Sequence, residues 1–121
     1  MNVGPVVKQL SQEQVQRYAD AVGDHNPIHV DEAYARGTPL GGTIAHGMLV
    51  LASISEMMAA AFGERWLRGG KLRVRFRAPA RPGDAITASA EPSGRGGAYA
   101  VEVRNQQGEV LINGTAELSN G

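Results

Sequence analysis

Cysteine is absent from the chain, which removes disulfides, thiolate nucleophiles and thiolate-bound zinc and leaves no sign of an oxidising compartment. Neither sign of charge is in excess. Twelve basic residues stand against twelve acidic ones, so no global field recommends nucleic acid or an anionic membrane surface as a partner. The opening "MNVGPVVKQLSQEQ" has no long apolar stretch behind a positive charge, so it does not read as a secretory signal, and a cytoplasmic protein is expected. There is one long hydrophobic run, Thr43 to Phe62, and it is interrupted by His46, Ser53, Ser55 and Glu56. A carboxylate near the middle of a membrane span costs a few kcal/mol, and no aromatic or basic anchors flank the run. It reads as a buried helix. With 121 residues the chain suffices for one core, and a single domain over 1–121 is expected.

The pattern along the chain divides into a helical half and a stranded half. Ser11 and Gln14 have capping-box spacing, and Val15, Tyr18, Ala19 and Val22 recur at helical intervals, predicting a helix over 12–22 that Gly23 ends. "DHNPIHV" is expected to be a loop, because Pro27 lacks an amide and pushes Asn26 out of helical geometry. Asp31 can cap a short helix, "EAYAR", closed by Gly37; the glycine-rich "GTPLGGT" then leads into the apolar run. After Gly69 and Gly70 the period changes to two. "KLRVRFR" sets Leu72, Val74 and Phe76 on one face and Lys71, Arg73, Arg75 and Arg77 on the other. "PARPGD" is a turn, and "AITASAE", "AYAVEVRN" and "VLINGTAEL" predict three further strands, parted by "PSGRGG" and "QQGE". "GPVVKQL" is a candidate early strand at a sheet edge, where Pro5 is tolerable. A helix apolar nearly all round needs cover on more than one side, and a curved antiparallel sheet wrapped about it is the simplest α+β solution.

Chemistry concentrates in "VGDHNPIHVDEAYARG". Asp24 and His29 suit a proton-handling pair, since a carboxylate can take a proton from water while an imidazole holds or donates one near neutrality. The plainer reading is a turn in which Asp24 bonds the amides of Asn26 and Ile28. His25 and His29 make a poor metal pair, because the spacing rule that brings i and i+4 together holds on helices and not in this loop. A second block, "AHGML", opens the apolar helix. Its first amides lack internal partners and face the positive end of the dipole, and Gly47 allows a ligand to approach the backbone. The Gly47 N–H is thus a candidate oxyanion donor; the alternative is that Gly47 is small because another backbone packs on it.

"GDHNPIHVDEAYA" followed by "GGTIAHGML" resembles the signature of the MaoC-like, R-specific enoyl-CoA hydratase family, whose pattern is Gly-Asp-x-Asn-Pro-aliphatic-His and a later His-Gly-Met. The likeness to the signature covers about residues 18 to 55. It implies a hot-dog fold, a long central helix wrapped by an antiparallel sheet and usually dimeric, and reversible hydration of trans-2-enoyl thioesters. It places Asp24 and His29 on the catalytic acid/base pair and Gly47 on the amide that holds the thioester oxygen. Asn26 falls on the asparagine that shapes the loop, and His46 on a histidine to which a structural role is assigned. Asn26, Ser55 and Met48 form the expected substrate-binding set. Ser55 lies ~12 Å along the helix axis from Gly47, so its expected role is to orient Asp24 or line the acyl pocket. Val22, where many members carry a small or polar residue, and the slightly long Tyr18 spacing depart from the pattern and bear on acyl preference. No metal or cofactor is implied beyond the coenzyme A or acyl-carrier-protein thioester of the substrate.

The basic face of "KLRVRFR", with Arg65, Arg68 and Arg81, could meet the phosphates of coenzyme A or an acidic carrier protein, against the plainer reading of a solvated strand face. Met57, Met58, Phe62 and Trp66 are expected in the core first and on an acyl-pocket wall second. Two alternatives stand beside hydration: a hot-dog thioesterase, and a non-catalytic acyl-binding subunit, which would be expected to lack the acid or the histidine.

Overall fold

The computed structural model describes residues 3–94 and 96–119; Arg95, in the expected "PSGRGG" turn, lies outside them. Five strands, β1 (Val6–Gln9), β2 (Lys71–Phe76), β3 (Ala85–Pro92), β4 (Ala98–Arg104) and β5 (Val110–Glu117), form one antiparallel sheet in the order β1-β3-β4-β5-β2. The helices are α1 (Gln12–Val22), α2 (Pro27–Val30), α3 (Glu32–Arg36), α4 (Gly47–Phe62) and α5 (Glu64–Gly69).

Register explains the core. Strand pairing aligns Val6, Ala88, Val103, Ile112 and Phe76 in one row across all five strands, and the inward side of that row packs on α4. The helix buries Val50, Ser53, Ile54, Met57 and Met58, a stripe at 3.6-residue spacing. Ala52, Glu56 and Ala60 on its other side are exposed, so within one chain the sheet covers one face of the helix and does not enclose it. A β-bulge between β4 and β5 pairs Val103 with Ile112 and Arg104 with Val110. Leu111 and Ile112 are consequently both buried, which strict alternation would forbid. Gly114 sits where a Cβ would stand 2.0 Å from the Arg73 carbonyl, so β2 and β5 reach their spacing only because that side chain is missing.

The local rules account for most boundaries. Ser11 Oγ accepts the Gln14 amide at 3.1 Å, capping α1, but the reciprocal half of a capping box does not form, and Gln14 Oε1 is buried without a partner among the described residues. Gly23 closes α1 at φ 75°, the left-handed geometry that glycine adopts without strain. "GPVVKQL" does supply an edge strand, β1 against β3. One expectation changes, and one helix is new. "DHNPIHV" is not all loop: Asn26 Oδ1 accepts the Ile28 amide at 3.2 Å and caps the single turn α2. Pro27 takes its first position, where a missing N–H costs nothing. The new helix is α5, which follows Gly63 and buries Trp66. None of the helices in the described residues is long and apolar enough to cross a membrane.

Candidate active site

Three hydrogen bonds, two of the backbone and one from a side chain, fix the segment that joins the two motif blocks. The Ile44 amide donates to the Ile28 carbonyl at 3.0 Å, and the Ala45 amide to the Ala80 carbonyl at 2.8 Å. His29 Nδ1 donates to the Ile44 carbonyl at 2.8 Å. The segment entering α4 is therefore held between α2 on one side and the chain leaving β2 on the other. Behind it, Gln12 Nε2 donates to the His29 carbonyl at 2.8 Å, and Thr43 Oγ1 bridges Gln12 Oε1 at 2.7 Å and Glu32 Oε2 at 2.8 Å. Hydrogen bonds from the Thr43 hydroxyl and then its amide, more than burial opposes, hold the Glu32 carboxyl below the usual carboxylate range.

A carbonyl can only accept, so the His29 bond fixes its neutral tautomer with the proton on Nδ1 and a free lone pair on Nε2. His29 is 8% exposed. Asp24 remains exposed in the turn after α1, where one carboxylate oxygen accepts the Asn26 amide at 3.2 Å. The plain turn reading is thus half present, since Asn26 and not Asp24 serves Ile28. The other side of the pair is His46, the N-cap residue of α4. Its ring stacks on His29 at 3.8 Å between centroids and 24° between planes, with Tyr18 4.9 Å away. Its Nε2 donates to the Asp24 carbonyl at 3.0 Å. One polar atom from each of Asp24, His29 and His46 lies within 4.8 Å of the others. Stacked rings send their in-plane lone pairs nearly side by side, whereas a metal bonded to both at ~2.0–2.1 Å needs them to converge, so the trio does not form a ready cage. His25 turns away, its Nε2 2.8 Å from Asp20 Oδ1; this contact is the main reason Asp20 stays ionised to lower pH than usual.

A cavity of about 330 Å³ opens beside His29, lined by His29, Ala45, Gly47, Val50, Phe76 and Ile112 among others; Asp24 lies within reach of His29 but is not on its wall. No side chain caps α4, and Gly47 is exposed at its first position. What restricts Gly47 is a ring and not a backbone: a Cβ there would meet Phe76 Cε1 at 3.0 Å. Phe76 ends the inward row of the sheet beyond the helix start and is 55% exposed. Its place on the cavity wall was hidden in the sequence, where alternation groups it with Leu72 and Val74 as core. Arg77 also lines the cavity, with Nε donating to Asn113 Oδ1 at 3.0 Å. A broader hollow of about 890 Å³ on the sheet carries Arg73, Arg75 and Glu102 but neither member of the pair.

Two expected substrate-binding residues lie elsewhere. Ser55 Oγ accepts the Trp66 indole N–H at 2.9 Å and is absent from the cavity wall; two turns of helix carry it to the α5 side. Met48 is 59% exposed and off the wall, because the position after Gly47 points about 100° around the helix from it. Asn26 holds the turn, as expected, through its cap. Met57, Met58 and Trp66 are core, and Phe62 packs on Tyr99 at 5.5 Å.

Residues 3–113 match the family described as MaoC like domain. The chain belongs to that family. It is 37% identical over 84 residues to 3-hydroxyacyl-thioester dehydratase Z of Mycobacterium tuberculosis, an alignment spanning 66% of this chain and 56% of that protein. Over 93 residues it is 37% identical to the (R)-specific enoyl-CoA hydratase of Rhodospirillum rubrum, spanning 74% of this chain and 62% of that one. The aligned stretch thus spans little more than half the length of these curated relatives. The unliganded R-hydratase PhaJ1 of Pseudomonas aeruginosa superposes with a TM-score of 0.79 at 30% identity, covering 95% of this chain and 77% of that one. The MaoC-like fold is a hot-dog fold, in agreement with the sheet and central helix described above.

Proposed function

We propose that this MaoC-like chain catalyses the reversible hydration of trans-2-enoyl thioesters to (R)-3-hydroxyacyl thioesters. The observation that carries the proposal is the meeting of Asp24, the free Nε2 of His29 and the uncapped start of α4 beside one apolar cavity. The names of the mycobacterial dehydratase and the R. rubrum hydratase point the same way. A water held between Asp24 and His29 loses a proton to the pair as its oxygen attacks C3. The C2–C3 π electrons move into the thioester, whose oxygen is steadied by the Gly47 N–H, and the pair returns one proton to C2. One C–O and one C–H bond form, one π bond is lost, and water is consumed, so the step balances without a redox group or metal. General acid/base catalysis of this kind contributes on the order of 100- to 10,000-fold, and one oxyanion donor about 100- to 1000-fold. The acyl chain is carried by coenzyme A or an acyl carrier protein, and the absence of cysteine fits work in the cytoplasm.

The test is crotonyl-CoA. Loss of the enoyl absorbance without free thiol supports hydration; release of thiol would instead make the protein a thioesterase. Asp24→Ala and His29→Ala each lower kcat/KM by about 100-fold or more if the pair works as described. Wild-type turnover in either variant removes that residue from its role, and no activity unless another subunit is added would favour a partner-dependent dehydratase.

We further propose a homodimer. Among the described residues β2 pairs only with β5, so its outer edge carries amides and carbonyls without a strand partner beside the cavity, and a second copy is the simplest cover. Light scattering is expected to give twice the chain mass of 12.8 kDa; the single-chain mass at micromolar concentration would refute it.

A further inference from the structure

The proton pair leaves one buried group without a role. His46 is 4% exposed, and its Nδ1 has no hydrogen-bond partner among the described residues, although a bare buried acceptor costs stability. An isosteric apolar ring would avoid that cost, so the position uses the imidazole for something else. Two contacts show what. Nε2 donates to the Asp24 carbonyl at 3.0 Å, and the ring face lies against His29 at 3.8 Å.

We propose that His46 is a positioning residue, an imidazole that joins the Asp24 turn to the start of α4 through its Nε2–H and sets the ring plane of His29 by stacking. Because the Asp24 carbonyl can only accept, the Nε2–H tautomer is required. The ionisable groups facing His46 are Tyr18 from α1, His29 from α2 and Asp24 from the turn; Arg77 lines the same cavity as His29. Asp24 and His29 come from different elements, and among the described residues the His46 side chain contacts both, the first at its backbone carbonyl and the second at its ring. This inference rests on the acid/base reading of that pair.

Two variants separate the two contacts. His46→Phe keeps a flat ring against His29 and Tyr18 and removes the donor; His46→Gln keeps a donor of similar reach and removes the ring. Each is expected to lower kcat about 10- to 100-fold with KM changed less than about threefold, as for a misplacement near 1 Å, with circular dichroism confirming the fold. Turnover within twofold of wild type in both variants overturns the proposal. Imidazole ¹⁵N–¹H spectra of the wild-type protein give an independent reading that needs no turnover. They are expected to show the His46 proton on Nε2 and the His29 proton on Nδ1, and a His46 proton found on Nδ1 also overturns it. If crotonyl-CoA is not hydrated, the kinetic arm falls with the hydratase reading, but the spectra still decide whether His46 has the state assigned to it.

Discussion

At the scale of single residues, the site shows how much a contact partner changes the meaning of a side chain. His29 and His25 are chemically alike and four positions apart. One is buried with its tautomer fixed by the Ile44 carbonyl, while the other is half exposed against Asp20. Only the first can offer a defined lone pair to a water. Ser55 makes the complementary point. Its spacing from Gly47 left it a choice between orienting Asp24 and lining a pocket, and its hydroxyl does neither, accepting instead from a buried tryptophan. Ser55→Ala strands that indole N–H, so it is expected to cost about 1–3 kcal/mol of stability while leaving kcat/KM within twofold. Urea titration beside an enoyl-CoA assay checks both halves, and a selective loss of turnover would return Ser55 to the site.

Among the elements, α2 governs the geometry although it is only one turn long. It carries His29, its carbonyls receive Ile44 and Gln12, and its start depends on Asn26. Asn26→Ala removes the cap and is expected to cost about 1 kcal/mol. Because the same residue holds the Asp24 turn, kcat should fall as well, whereas Asn26→Asp, which keeps the capping oxygen, should restore most of the stability. Melting curves and initial rates on both variants are the check; equal loss in the two would show that the cap is not what matters. The sequence suggested a loop here because Pro27 lacks an amide, but at the first position of a helix that amide has no partner to lose. Short helices such as α2 and α5 offer too few residues for periodicity to register.

Over the whole molecule, acid sensitivity follows from the network behind the site. The Glu32 carboxyl is held low chiefly by the Thr43 hydroxyl, and Asp20 chiefly by His25. A folded value below the unfolded one gives stability that is complete above the ordinary carboxylate range and is lost as pH falls through the folded value. The melting temperature is therefore expected to drop on acidification below that range, and Glu32→Gln to flatten the decline; an unchanged acid slope in Glu32→Gln would show that the Thr43 contacts carry none of it. The broad plan was legible in the amino acids alone. Apolar period marked α1, α4 and the strands, glycine and proline marked their ends, and the spacing of Gly23, Asp24, Asn26, Pro27 and His29 with the later His46-Gly47-Met48 marked the family, because these features depend on neighbours within a few positions. What the sequence could not reveal depends on residues far apart in the chain. The one-sided cover of α4, the bulge that buries Leu111 and Ile112, the Phe76 ring over Gly47, the Trp66 hold on Ser55 and the stacking of His46 on His29 arise only when strand register and helix packing bring distant segments together. Local pattern determined the longer elements and which groups could move a proton; three-dimensional packing decided which of those groups meet, since burial and tautomer are set by neighbours that sequence order does not record.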